Sequence, residues 1–232
     1  FLVKADGGFE VASDAVWRLM RQHEIPSLIV VNRMNKEHAD WEGALATLRE
    51  NVGVNAVPIH LPIGEKEDFR GVVDLLTMKA HVIENGELKV QDIPDDLADA
   101  AQAGREALMD PAAEAVEELT EKYLEEMTLT DEELIQGLKA GVAQGTVYPV
   151  LATAADSEVG VMAALQAAVG LIPSPAVRTE VVGTDPSSGE EKTFPCSPDG
   201  DPLVFAFKKQ YEAQGGDIVW LRVYSGQVKS GD

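Results

Sequence analysis

The stretch Ser27-Leu-Ile-Val-Val-Asn-Arg-Met-Asn35 decides the fold: a short apolar run, rich in β-branched residues, ends abruptly in two asparagines and an arginine. Such a run is too short for a helix and lacks polar alternation, the mark of a strand buried on both faces of a parallel sheet. FLVKA at residues 1–5 has the same texture. Between the two, Val11, Ala12, Ala15, Val16, Leu19 and Met20 recur at helical spacing from Glu10 to Glu24, and Pro26 ends the run. Beyond the strand, Trp41, Ala44, Leu45, Leu48 and Val52 mark another helical face, with Asp40 as its expected N-cap and Gly53 as its stop. Alternating strands and helices predict an α/β fold in which helices cover a parallel sheet.

The texture changes after VNAVPIHLPIG, residues 54–64. GVVDLL, AHVIE and LKVQD are short strand-like runs separated by turn signals such as Asn85-Gly86, which predicts a small inserted α+β unit. Pro94 is expected to open a helical region to about Met127, with Ala112, Ala113, Val116, Leu119, Tyr123 and Leu124 on its apolar face. Thr130 and Glu133 predict a capping box on a further helix that ends near Gly145. Val147 to Ala152 return to strand character, and Glu158 to Ile172 read as a last helix stopped by Pro173 and Pro175. After the linker-like PSPAV, the runs RTEVV, PLVFAFKK and DIVWLRVYSGQV have no helical period and predict a β domain left unclosed at Asp232.

Composition narrows the function classes. The 232 residues carry 19 Lys and Arg against 40 Asp and Glu, a net charge of −21, and 45% are hydrophobic, enough for a real core. That charge repels phosphate backbones, so direct nucleic-acid binding is not expected. No apolar run reaches the length of about 18 residues that spans a bilayer, so no membrane partner is expected. The opening FLVKADGG is not a signal peptide and reads as a chain cut in mid-strand. Cys196, the single cysteine, excludes an internal disulfide and a Cys-based zinc cage and suits a reducing, cytoplasmic setting. A monomer is expected. Between Asp110 and Glu133 ten acids meet one base, Lys122, a pattern that fits either a solvated helix face or a docking surface for a basic partner.

Most catalytic templates are absent: the sequence contains no HExxH, CxxC, GxSxG or EF-hand loop. His23, His38, His60 and His81 lie in different elements without ligand spacing and read as ordinary structural histidines, so no metal ligands and no catalytic residues are assigned. Gly226 to Gly231 has the glycine spacing of a phosphate loop, but Asp232 stands where a lysine is needed and no helix follows, so it reads as a turn. Asp68-Phe-Arg-Gly71 matches the short DxxG pattern that senses a γ-phosphate, a match that chance supplies often.

The loop at 32–35 is the informative one. P-loop GTPases read guanine with N-K-x-D after a buried strand; here the four residues are Asn32, Arg33, Met34 and Asn35. VNRMNKEHADW, VPIHLPIGEKEDFRGVVDLLTMKA, EKYLEEMTLTDEELIQGLKAG, GLIPSP, FAFKK and LRVYSGQVKSGD, in that order, resemble elongation factor G over nearly the whole chain. The resemblance implies the C-terminal half of a P-loop GTPase domain (residues 1–58), an inserted α+β subdomain (59–146), the last strand and helix of the GTPase domain (147–175), and the start of a β-barrel domain (176–232). It places Asn32, Arg33 and Asn35 on the base-reading positions. Ala154 and Ala155 fall where the family has Ser-Ala, whose main-chain N–H meets the guanine oxygen, and Ala154 should preserve that contact. Arg33 suits the stacking role of the family's lysine.

The same resemblance implies GTP or GDP as ligand, with Mg²⁺ held only in the intact parent. Phosphate loop, switches and metal ligands precede the base loop in such enzymes, and the residues before Asn32 are too few for them, so this chain is expected not to hydrolyse GTP. Asn35 departs from the family pattern: an amide offers one acceptor where a carboxylate offers two to the N1–H and 2-amino donors of guanine. Losing a charge-assisted bond and stranding a donor costs about 1.5–3 plus about 1–3 kcal/mol, so weakened guanine binding and a better fit to xanthine are expected. The implied partner is the ribosome, with the acidic helices facing the stalk protein of the large subunit. The open alternatives are a non-hydrolysing ribosome- or protein-binding paralogue and a ribosomal protection or release-factor-type GTPase.

Overall fold

The computed structural model describes residues 1–213 and 215–231. It is a mixed α/β structure in two compact units, residues 1–173 and the segment from Ser174 onward. Four strands of the first unit, β1 (Leu2–Lys4), β2 (Ile29–Asn32), β3 (Ala56–Pro58) and β8 (Tyr148–Ala152), form a parallel sheet in the order β1-β2-β8-β3. The helices α1 (Val11–Gln22) and α2 (Trp41–Asn51) join its first strands, and Asp40 caps α2 as expected, its carboxylate accepting from the Gly43 N–H.

Alternation along β2 sends Leu28 and Val30 into one apolar cluster and Ile29 and Val31 into another, so each sheet face has its own core. All five residues of β8 are buried. Ile59 carries the chain straight from β3 into an antiparallel sheet of β4 (His60–Ile63), β5 (Gly71–Asp74), β6 (Lys79–Glu84) and β7 (Glu87–Gln91), paired in that order. Its N–H donates to the Val150 carbonyl and its carbonyl accepts from the Leu75 N–H, which rivets the two sheets together. Asn85 and Gly86 turn the β6–β7 hairpin with φ of 54° and 79°, the left-handed pair that the Asn-Gly signal predicts.

The helical region after Pro94 differs from the single run expected. It is a 3₁₀ turn followed by α3 (Ala98–Glu106), α4 (Met109–Glu114) and α5 (Glu117–Glu126), and Leu124 is 74% exposed rather than part of the buried face. The breaks let α4 pack against both α5 and α6 (Asp131–Gln144), whose Thr130–Glu133 capping box is present and whose end is Gly145. Arg105 fixes the arrangement: its buried guanidinium donates to the Leu75 and Leu76 carbonyls at 2.6 and 2.8 Å and pairs with Asp131. The last helix, α7 (Val161–Leu171), begins later than the sequence suggests because Glu158 and Gly160 adopt left-handed backbone.

Helix α1 is a second departure. Val11, Val16 and Leu19 are 92%, 51% and 55% exposed, while the residue that anchors the helix is Trp17. Its ring lies 4.8 Å from that of Tyr148 and 5.3 Å from that of Phe1. One large aromatic side chain outweighs a stripe of smaller residues because it buries more area per residue fixed.

In the second unit, β9 (Glu180–Thr184) pairs with β10 (Glu191–Pro195), and β11 (Leu203–Glu212) with β12 (Gly216–Ser225), each pair antiparallel. The charged run of β10 gave no strand signal in the sequence. Gly226 to Gly231 follow β12 as bend and turn, and Asp68 to Arg70 lie in the β4–β5 connection with Phe69 buried in the core and Gly71 opening β5, so neither segment stands as a phosphate loop. Asp232 lies outside the described residues.

Gly137 of α6 sits where a Cβ would come within 2.2 Å of the Ala112 carbonyl oxygen, whereas a Cβ at Gly170 of α7 would meet nothing within 4 Å. Gly137→Ala should therefore destabilise the protein by about 1–3 kcal/mol in urea unfolding through overpacking. Gly170→Ala should stabilise it by up to about 1 kcal/mol.

His60 and His81 are buried at 1% and 6% exposure, and the Nδ1 of each has no partner. Burial pushes His60 down to about 4; Asp74 and the Ala152 main chain favour the charged form, and His81 opposes it. A histidine depressed in the folded state is protonated first in the unfolded chain. Its contribution is complete above pH 6.5 and is lost as pH falls towards 4, a decline of about 3 kcal/mol. Denaturant midpoints of wild type and His60→Leu across pH 7 to 4.5 should show the shallower decline in the variant.

Candidate functional site

The site grows from the C-terminal ends of β2 and β8, where parallel pairing sets Val31 opposite Ala152. Open α/β sheets place binding loops at this edge. The ladder runs on past the strands: the Thr153 N–H donates to the Val31 carbonyl at 2.9 Å, and the Met34 N–H to the Thr153 carbonyl at 3.1 Å. Asn32 is thereby held level with the β8 loop. Its Oδ1 accepts from the Thr153 hydroxyl at 3.1 Å and from the Ala155 N–H at 3.0 Å, and its carbonyl accepts from the Ala5 N–H. One residue thus laces three loops together.

Arg33 follows with φ of 69°, a left-handed conformation that costs a non-glycine residue roughly 1–2 kcal/mol. That turn drops the Met34 side chain into the core at 3% exposure and leaves Arg33 exposed beside the loop. Asn35 is turned towards the opposite loop, where its Nδ2 donates to Asp156 Oδ1 at 2.8 Å, while its own Oδ1 is buried without a partner. The neighbouring Lys36 ammonium pairs with Asp156 Oδ2. Lys36 first, and Asn35 second, hold the Asp156 carboxyl below the usual carboxylate range.

The structure therefore brings Asn32, Arg33 and Asn35 to the loop that carries Ala154 and Ala155. Two main-chain groups differ from the arrangement the resemblance implies. The Ala154 N–H donates to the Val159 carbonyl at 2.9 Å, closing the β8 loop, and the Ala155 N–H is taken by Asn32. The Ala154 N–H is therefore committed within the protein and is not free for a ligand oxygen. Thr153, Lys36 and Asp156 join the constellation unannounced by the sequence; the only signal was an unpaired acid next to Ala155 and a base next to Asn35.

Beside the loops lies a cleft of about 410 Å³, lined by Asn32, Thr153 and Ala155 at one end and by apolar residues including Leu28 and Leu165 at the other. Among the described residues no cluster of three or more His, Cys, Asp or Glu could hold a metal ion, and no helix is long and apolar enough to cross a membrane.

No protein-family model matches the sequence. A protein of Thermus thermophilus known from its crystal structure is similar at a TM-score of 0.81 and 30% identity, over 100% of this chain and 32% of that one. The chain spans about a third of the length of that protein. The likeness supports the mixed α/β architecture, with its parallel sheet and antiparallel sheets, as a shared one.

Asn32→Ala would leave the Ala155 N–H and the buried Thr153 hydroxyl without their acceptor, so a loss of about 1–3 kcal/mol is expected in urea unfolding. Asn32→Asp keeps both acceptors and should lose less.

Proposed function

We propose that this chain is the base-reading part of a translational GTPase of the elongation factor G kind, recognising a 6-oxopurine nucleotide with the loops at 32–36 and 153–156. The observation that carries the proposal is the Asn32 side chain, which ties the tip of β2 to the loop after β8 and so joins two loops at one edge of the sheet. Support comes also from the order of the resembling segments and from an Arg33 presented on left-handed backbone, its guanidinium plane suited to stack on a base.

GTP and GDP are the proposed ligands of the parent, its Mg²⁺ and triphosphate handled by sequence outside these residues. Ribosome association belongs to the same proposal. Helix α5 presents Glu117, Glu118, Glu121, Glu125 and Glu126 towards its polar side, with Leu124 and Met127 exposed among them at 74% and 69%. Acids ringing exposed apolar groups fit a basic amphipathic partner such as the stalk protein of the large subunit. A second reading, a binding protein that does not hydrolyse GTP, is favoured by the committed Ala154 N–H.

Titration of the ¹⁵N-labelled chain with GMP, IMP and UMP tests the proposal. The two purine nucleotides should shift the amide signals of Asn32, Arg33 and Ala155, and UMP should not. Absence of shifts with every nucleotide, or equal shifts with UMP, would overturn it.

A further inference from the structure

Resting on the base-loop proposal above, we infer that Asp156, rather than residue 35, is the specificity-determining residue, supplying the carboxylate that accepts the N1–H and 2-amino hydrogens of guanine. The inference begins with the orientation of Asn35. A carboxylate can only accept, so the atom of the Asn35 amide that faces Asp156 Oδ1 at 2.8 Å must be the NH₂ group. The amide oxygen is thereby turned inward, where it is buried and unpartnered. Asn35 consequently presents no acceptor to a ligand at the mouth of the loop.

Asp156 presents two. Its side chain is 53% exposed, and each oxygen spends one lone pair on the protein, Oδ1 on Asn35 and Oδ2 on Lys36, leaving the second free. The same two contacts fix its position on the residues that follow Arg33. The acid that the base loop lacks at position 35 is thus replaced by one from the opposite loop, docked on position 35 itself. The Lys36 pair keeps it ionised, which strengthens any bond it accepts.

The chemistry of the ligand follows. Guanine offers two adjacent donors and fits a carboxylate. Hypoxanthine offers one. Xanthine sets a 2-carbonyl against the carboxylate and is repelled, which reverses the preference expected from Asn35 alone. A purely structural role for Asp156 predicts nothing of the kind, since an exposed ion pair contributes little to stability.

In titrations of the ¹⁵N-labelled chain, GMP and IMP share one phosphate and a neutral base, so the repulsion from the protein's negative charge cancels between them; XMP is titrated below the pH at which its xanthine ring ionises, so that it too carries a neutral base. Wild type should bind GMP about tenfold more tightly than IMP, and XMP more weakly still. Asp156→Asn should lower GMP affinity to that of IMP with the unfolding midpoint nearly unchanged. The exchange Asn35→Asp with Asp156→Asn returns a carboxylate and an amide to the pair and should restore the GMP preference. GMP binding undiminished in Asp156→Asn, an exchange variant that fails to regain the preference, or XMP bound more tightly than GMP by wild type would overturn the assignment while leaving the base site standing. No shift at Asn32, Arg33 or Ala155 with any of the three would overturn both.

Discussion

The pairing of β2 with β8 is the constraint on which the rest depends. With Ile29 opposite Val150 and Val31 opposite Ala152, Asn32 stands level with Thr153, and a single side chain can reach the β8 loop. A slip of one residue would exchange the two faces of β2, pulling Ile29 and Val31 out of the core they share with α2 and moving Asn32 away from its acceptor geometry. Register is therefore specified by burial on both faces, and the polar contacts of Asn32 are made on a frame that burial has already set.

Electrostatics then acts within a frame already built. A net charge of −21 spreads repulsion over the surface, yet the base loop gathers Arg33 and Lys36 at one edge. Lys36 neutralises part of Asp156, while Arg33 remains exposed. Local pairing of this kind decides which ligands are tolerated; the global charge decides only how readily an anion approaches.

Much of the first unit was legible in the sequence because its signals are local and mutually consistent. The Asp40 cap, the Thr130–Glu133 capping box, the Asn85-Gly86 turn and the buried runs of β2 and β8 each follow from a few neighbouring residues. What escaped depends on tertiary partners. The apolar stripe of α1 is real, but Trp17 wins the core because Phe1 and Tyr148 stand ready to receive it. The break between α3 and α4 answers to Arg105 reaching back to Leu75, a contact thirty residues away in sequence. His60 and His81 look ordinary in a linear reading and become buried neighbours only once β4 and β6 flank β5. Asn32, Arg33 and Asn35 were visible as a motif, whereas the orientation of the Asn35 amide and its pairing with Asp156 rest on a contact 121 residues apart.

The position of β8 within its sheet carries one more consequence. Strands hold on both sides only in the interior, and β8 is flanked by β2 and β3 with every residue buried, while β1 is paired along one side alone. Slow exchange of main-chain hydrogens with solvent follows such enclosure, so the amides of β8 outlast those of β1 and of the exposed α1 surface. Breathing at the periphery of the sheet therefore leaves the two loops that meet at Asn32 in place, because both are hung from interior strands.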